Sequence, residues 1–431
     1  MANLDLPIGI VTLLLGIYML SFLRISLSDL PLQSLWRVSQ APAKKAAHVE
    51  ERETPGGSIE KESHFSSSWW EDEKIHQLER RAIFSKTWHY AAPLSVFRKP
   101  GDYLTLSIAA FSIFLILGKD GQLRGFHNVC RHRAYEVTRK ECGRSTVLGC
   151  RYHGWSYDTL GRLTKAPEFE GVDGFEKGSN GLWEVKVRVV GNGAVFVNLD
   201  AGDVVEMEGM EGVEAEMRGW AFEDCEKVER WSVKGAFNWK LAVNVFDDCQ
   251  LSSSKNAISW LWFLIKSLYK NQHPQIVHAW PLTTLHYEPY NNSWVSIKLI
   301  PSSAHKTTIQ CELYAQRGST RQNHGPIIAN LKNGISTKLQ ELETAQNEAH
   351  GETLVMTAAQ ISHQERIHAL LKAHLKLERV QGGEVHPAAR QQSFSQMGKK
   401  DDDLCRQLED NLTSIETTDE KGSFQSNSLD W

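Results

Sequence analysis

At 431 residues with 41% apolar side chains, the chain can build two structured regions with sizeable cores and still leave polar tails. A net charge of −4 and the lack of a long basic run argue against a nucleic-acid partner. Seven cysteines, at 130, 142, 150, 225, 249, 311 and 405, are odd in number and irregularly spaced. That pattern excludes a disulfide framework and fits a reducing compartment where thiols stay available to metal.

Residues 6–23, LPIGIVTLLLGIYMLSFL, carry no charge and are long enough to cross a bilayer. Asp5 is the only charged side chain before this run, so the basic flank of a cleavable signal is missing. Pro7 falls in the first turn, where it is tolerated. Arg24, Arg37, Lys44 and Lys45 follow, which by the positive-inside tendency keeps the rest of the chain cytosolic. The expectation is a single-pass N-terminal transmembrane helix over 1–23, with the main body on the cytosolic side, as on the endoplasmic reticulum.

Residues 24–67 are polar and read as a linker. The stretch SSSWWEDEKIHQLERRAIFSKTWHY opens with serines able to cap a helix, and Ile75, Leu78, Ile83 and Phe84 then recur at helical spacing. From Val96 to Asp200 short runs such as YLTLSI, SIFLILG and GAVFVNL alternate with KDG, CG and GNG turns, which predicts an all-β domain within 68–200. The acidic, Gly-rich stretch from 201 to about 225 is expected on the surface. Over 201–390, strand-like pieces (TLHYEPY, SWVSIKLIP, TTIQCELYAQ) mix with helical ones (KLQELETAQNEA, HQERIHALLKAHLKLERVQ), predicting an α+β region. Residues 391–431 read as a polar, disordered tail, with a short helix around Leu404 to Leu412.

The chemistry sits in FHNVCRHRAYEV and LGCRYHGWSYDTLGRL, which supply C-x-H, seventeen residues, then C-x-x-H. Two loops each giving one thiolate and one imidazole can clasp a [2Fe-2S] cluster, with two Cys on one iron and two His on the other. Imidazoles donate less charge than thiolates, so the potential lies above that of an all-cysteine cluster. A Cys2His2 zinc site takes the same residue types, but it usually pairs cysteines on one side and histidines on the other. Here each half is mixed, which favours the cluster on Cys130, His132, Cys150 and His153. Gly154 permits a tight turn behind His153, and Trp155 and Tyr157 can shield the sulfurs.

On these residues the chain resembles the Rieske non-haem iron oxygenases, in particular the choline monooxygenase-like α-subunits. NVCRHR, CRYHGWSYD and GRL look like that family's cluster loops, and the likeness extends to ERRAIFSKTWHY, VFVNLD and FNWKLAVN. It covers most of residues 68–250 and, more weakly, the remainder to about 390. Ala134 is a departure, standing where many members have Gly. The resemblance implies an α+β protein in which an all-β Rieske 2Fe-2S domain precedes a helix-grip-like catalytic-type domain. It also implies a second cofactor, a mononuclear non-haem Fe(II), and an NAD(P)H-dependent reductase or ferredoxin as electron source. A small organic substrate, lipophilic or a secondary metabolite, and homo-oligomeric assembly complete that expectation.

In the family, the NWKL segment leads into D/E-x-x-H-x-x-x-x-H, whose histidines share an iron with a later carboxylate. In register from Asn238, the acidic position falls on Asp248, and the histidine positions fall on Leu251 and Asn256. No histidine occurs between residues 154 and 272. Three readings compete. The site could be rebuilt from His273, His278 and His286 with Asp247, Asp248 or Cys249. The iron could be lost, leaving a membrane-anchored electron carrier or a non-catalytic paralogue. The stretch LSSSKNAISWLWFLIKSLYKNQ could itself be anomalous, for example through a mistaken exon boundary. The resemblance makes Asp248 a bridging acid between a cluster histidine and the iron site; the bland alternative is a solvated Asp247–Asp248 pair. Glu365 is the candidate for the later carboxylate. The leading expectation is an oxidoreductase of the Rieske oxygenase type.

Overall fold

The computed structural model describes residues 61–62, 65–169, 171–202, 210–217, 220, 222–247, 249, 275–288, 293–318 and 324–387. The chain divides after Gly57, and every described residue belongs to the second unit, Ser58–Trp431. The expected anchor over 1–23 and the tail over 391–431 lie outside the described residues. Among those described, no helix is long and apolar enough to cross a membrane.

The expected linker is ordered at its end, where β1 (Lys61–Glu62) pairs with a strand near the C-terminus. The helical segment that follows is broken in two. α1 (Ser67–Glu71) and α2 (Glu73–Glu79) run into a π-helical turn at Arg80–Phe84. The serines do not cap it as expected, since Ser66 Oγ bonds Ser68 Oγ at 2.8 Å instead of the backbone. The side chain of Asp72 accepts from the Lys74 N–H at 2.8 Å and so starts α2. A carboxylate is the stronger acceptor for those otherwise unpaired amides. Trp69, Trp70, Ile83 and Phe84 are buried, as their spacing requires.

A seven-stranded antiparallel sheet comes next, ordered β2-β11-β10-β5-β4-β3-β6. Its strands are β2 (His89–Pro93), β3 (Asp102–Ile108), β4 (Phe111–Leu117), β5 (Leu123–His127), β6 (Cys142–Arg144), β10 (Glu184–Val190) and β11 (Ala194–Asn198). A three-stranded sheet of β7 (Val147–Gly149), β8 (Ser156–Asp158) and β9 (Leu163–Lys165) sits within the same stretch. The KDG and GNG segments are turns, with Gly121, Gly191 and Gly193 at positive φ. The CG segment is not a turn: Cys142 and Gly143 lie in β6, paired with Leu104 and Tyr103. The β3–β4 hairpin turns on Ala109 and Ala110, both at positive φ. That geometry usually selects Asn or Gly.

A five-stranded antiparallel sheet, ordered β12-β16-β15-β14-β13, forms the second half. It comprises β12 (Cys225–Gly235), β13 (Gln275–Ala279), β14 (Thr283–Glu288), β15 (Ser293–Ser303) and β16 (Lys306–Gln316). Two long helices follow, α4 (Gly325–His350) and α5 (Ala358–Gln381), with β17 (Val355–Met356) between them as the partner of β1. A capping box starts α5, in which Thr357 and Gln360 exchange bonds. The stretch after 201 is not simply surface. A short helix, α3 (Met210–Glu216), leads to Met217, Trp220 and Phe222, all buried with Tyr90, Phe196 and Trp294.

One apolar core runs through both halves. It joins Ile113 and Val195 of the first sheet to Val295, Ile309 and Leu313 of the second, and to Leu331, Ile335 and Ile367 of the helices. The FNWKLAVN segment is the knot of this arrangement. Asn238 Nδ2 donates to the carbonyls of Trp70 and Ala304 at 2.7 and 2.6 Å, and its N–H reaches Gln346 on α4 at 2.8 Å. Trp239 Nε1 and Lys240 Nζ both donate to the buried Glu79 carboxylate. Burial alone would raise the Glu79 carboxyl. The charge of Lys240 and hydrogen bonds from His76, Lys240 and Trp239 outweigh it and hold its pKa below the ordinary range.

Candidate metal centre

Two loops with nearly the same hydrogen-bond plan project from the sheets. In the first, the Cys130 N–H donates to the Tyr135 carbonyl at 2.7 Å and the Ala134 N–H returns to the Cys130 carbonyl at 3.0 Å. In the second, the Cys150 N–H donates to the Trp155 carbonyl at 2.8 Å and the Gly154 N–H returns to the Cys150 carbonyl at 3.0 Å. Both loops close through a residue at positive φ, +55° at Ala134 and +69° at Gly154. Gly154 takes that conformation freely, whereas Ala134 takes it against its Cβ.

The first loop is anchored at its base. Asn128 Oδ1 accepts from the Val137 and Thr138 amides, and its Nδ2 donates to the Thr138 carbonyl. Arg131 lays its guanidinium over the Trp183 ring at 4.5 Å and donates to the Gly181 carbonyl at 3.0 Å. The loops bring together all four residues singled out from the sequence. Cys130 and Cys150 are buried and close enough to hydrogen-bond each other. The His132 and His153 ring centroids are 4.5 Å apart, and both Nδ1 atoms are buried. Trp155 stacks on His132 at 5.0 Å with an 11° interplanar angle, and Phe169 meets both rings edge-on. Tyr157 Oη lies 3.3 Å from Cys130 Sγ. The expected shielding by Trp155 and Tyr157 is thus present, and both are almost fully buried.

The thiol pair favours losing one proton. The Cys150 sulfur is held down to about 6 by the Cys130 hydrogen bond, against the cost of burial, with help from the Tyr152 and His153 amides. Cys130 is pushed above the ordinary thiol range by the same pairing and by burial. Two buried thiols and two half-buried imidazoles, on loops that present them as a Cys pair and a His pair, fit a [2Fe-2S] cluster. Each iron then takes two protein ligands. Among the described residues no group of three or more His, Cys, Asp and Glu side chains is arranged around a single ion.

The second metal site fares differently. Asp248, Leu251, Asn256 and His273 lie outside the described residues. His278 Nε2 stands 3.4 Å from Asp247 Oδ1. His286 is buried in β14 and pushed down to about 4 by burial and by the charge of His278. Glu365 is exposed and lines a shallow surface depression with Trp69 and His368. It does not face the cleft that His278 does. That cleft, about 50 Å³, is lined by Phe246, His278, Trp280, Leu282, Ile297 and His363 among others. His363 was missed from the sequence. Its only signal there is its place, two residues before Glu365 and so turned to another helix face. Taken together, the described residues do not make up the 2-His-1-carboxylate set that a mononuclear iron needs.

Fold and site together define a Rieske-type iron–sulfur protein. A model of the Rieske [2Fe-2S] domain matches residues 87–176. The glycine betaine monooxygenase oxygenase subunit of Pseudomonas aeruginosa (strain UCBPP-PA14) is 30% identical over 178 residues, 41% of each chain. The 2-aminobenzenesulfonate 2,3-dioxygenase subunit alpha of an Alcaligenes species is 37% identical over 152 residues, 32% of this chain and 38% of that one. The crystal structure of an apo quaternary ammonium Rieske monooxygenase superposes with a TM-score of 0.58 and 23% identity, over 72% of this chain and 95% of that one. The chain thus contains a Rieske [2Fe-2S] domain, and around that domain it is similar to oxygenase subunits of Rieske systems. It spans half or less of the length of the curated relatives it matches.

Proposed function

We propose that this chain is the oxygenase component of a Rieske system, in which Cys130 and Cys150 hold one iron of a [2Fe-2S] cluster and His132 and His153 the other. The observation that carries this is the matched pair of loops closing on a buried Cys pair beside a half-buried His pair. Bound there, such a cluster would supply one-electron transfer. The protein's own part is to keep the sulfurs dry with Trp155, Tyr157 and Phe169 and to hold His132 and His153 in fixed orientation.

The reaction class is oxidation of a small organic molecule by O2. Two electrons and two protons, supplied through a reductase or ferredoxin, give a hydroxylated product and water. The names of the relatives, monooxygenase and dioxygenase subunits, support this class. The charge-free run at 6–23 supports an N-terminal membrane anchor, and the proposal extends to a membrane-held protein with a cytosolic body. Release from membranes by alkaline carbonate alone would overturn that part.

A second reading is favoured by Leu251 and Asn256, which stand where histidines are expected. It is a Rieske electron-transfer protein without the mononuclear iron. Iron and acid-labile sulfide on the purified protein separate the two. About three irons per two sulfides supports the oxygenase, and two per two supports the carrier. A sample without labile sulfide, and without the Rieske EPR signal when reduced, sinks both.

A further inference from the structure

The two matched loops differ in the fate of one side chain. Each carries an arginine directly after its cysteine, Arg131 after Cys130 and Arg151 after Cys150. Arg151 is exposed, whereas Arg131 is buried, at 8%. The neighbouring strand accounts for the difference. β10 enters its sheet beside β5 with Glu184 paired to Phe126, and the His127 N–H donates to the Trp183 carbonyl at 2.9 Å. Because β5 leads straight into the first loop, this pairing brings Gly181 and Trp183 to Arg131. The Trp183 ring centroid, 4.5 Å from the guanidinium carbon, and the Gly181 carbonyl, 3.0 Å from Nη1, stand in for water around the cation.

Burial deprives a charge of its hydration, and it lowers the Arg131 pKa from the ordinary value. A guanidinium starts so far above neutrality that it keeps its proton even so. The groups that favour its charge are the Tyr157 phenol and the Cys130 sulfur. Tyr157 Oη joins the two, lying 3.3 Å from that sulfur and accepting from the Arg131 N–H at 3.1 Å. Burial keeps Tyr157 protonated, so the sulfur is the member of this trio that carries negative charge when metal is bound.

A fixed positive charge stabilises the more negative of two redox states, and it does so more strongly where water is excluded. Salt screens surface charges and reaches buried ones much less. We propose that Arg131 is a built-in countercharge for the electron accepted by a cluster on Cys130, His132, Cys150 and His153. Its burial, which Arg151 lacks, lets it raise the reduction potential at any salt concentration. The proposal rests on the reading that a [2Fe-2S] cluster is bound there. Reduction adds one electron from the donor and breaks no bond in the protein, so the countercharge acts on the potential.

The test is a redox titration of the cluster-loaded full chain with mediator dyes, followed by EPR, at low and at high salt. Arg131→Gln is expected to lower the midpoint at both salt concentrations. At the wild-type midpoint its oxidised-to-reduced ratio is expected to rise about tenfold, which for one electron is about 59 mV. Arg131→Lys, which keeps the charge, is expected to recover most of that shift. Arg151→Gln, the same change at the exposed position, is expected to shift the midpoint less, and only at low salt. Should Arg131→Gln fail to load a cluster, Trp183→Leu takes its place. That variant keeps the guanidinium but opens it to water, so its midpoint is expected to fall and to become salt-dependent. The proposal is overturned if Arg131→Gln, or in its place Trp183→Leu, leaves the midpoint unchanged. It is also overturned if the two Arg131 variants shift it equally, or if Arg151→Gln matches Arg131→Gln at high salt. Wild type without the reduced Rieske EPR signal overturns the underlying reading and the proposal together, an outcome that no shift of midpoint can mimic.

Discussion

The phenol oxygen of Tyr157 lies 3.3 Å from the sulfur of Cys130 and 3.1 Å from the amide nitrogen of Arg131, which donates to it. Burial, reinforced by the neighbouring Cys130, pushes the Tyr157 pKa well up, so the phenol keeps its proton. It is therefore the donor to the sulfur. A hydrogen bond to a cluster sulfur stabilises the more negative, reduced state. Tyr157→Phe is expected to lower the reduction potential by roughly 40 mV, the equivalent of one hydrogen bond of about 1 kcal/mol. A redox titration followed by EPR reads this directly. An unchanged potential would mean that the phenol does not donate to the sulfur.

Ala134 holds φ at +55° in a position whose counterpart in the other loop is Gly154. The left-handed conformation costs a residue with a Cβ about 1–2 kcal/mol, and glycine returns part of that gain as unfolded-chain entropy. Ala134→Gly is expected to stabilise the protein by up to about 1 kcal/mol without altering the cluster spectrum. Denaturant unfolding, with visible absorption as a control, measures it.

Lys240 and Glu79 form a buried ion pair, and Lys240 lies 4.6 Å from the Trp69 ring centroid. Removing one partner leaves the other charged in a dry core. Lys240→Met is expected to cost about 3–5 kcal/mol, enough to unfold a marginal domain. Adding Glu79→Leu in the same chain is expected to recover much of that loss, because no orphan charge remains. Comparing the denaturant midpoints of the two variants tests the pair.

Burial pushes both His89 and His286 down to about 4. In the unfolded chain a histidine titrates near 6.5, so on acidification the unfolded state takes up protons first. Their contribution is intact above about pH 6.5 and is lost as the pH falls toward 4, on the order of 3 kcal/mol each once both states are protonated. Thermal midpoints recorded from neutral pH down to about 4 are expected to fall, and His89→Gln is expected to flatten the curve. A slope that His89→Gln leaves unchanged would assign the acid sensitivity to other groups.

The sequence by itself determined which four side chains come together at the proposed cluster site. Cys130, His132, Cys150 and His153 were legible because two short loops carry them, so spacing along the chain stands for proximity in space. Alternation of apolar residues gave β3, β4, β11 and, in the second sheet, β14, β15 and β16, and the 3.6-residue period gave parts of α4 and α5. Tertiary structure decided what depends on residues far apart in the chain. Ala109 and Ala110 turn the β3–β4 hairpin without a turn residue, since the paired strands and the core around Ala109 hold them there. Trp220 and Phe222, in a stretch that reads as acidic surface, are buried because the second sheet brings Trp294 and Tyr287 against them. Glu365 was the candidate read from the sequence, but the packing of α5 turns His363, not Glu365, to the cleft. Ligands carried on one loop can be read from their spacing. The cleft, which is assembled from β14, β15, the segment after Trp239 and α5, exists only once those elements have packed.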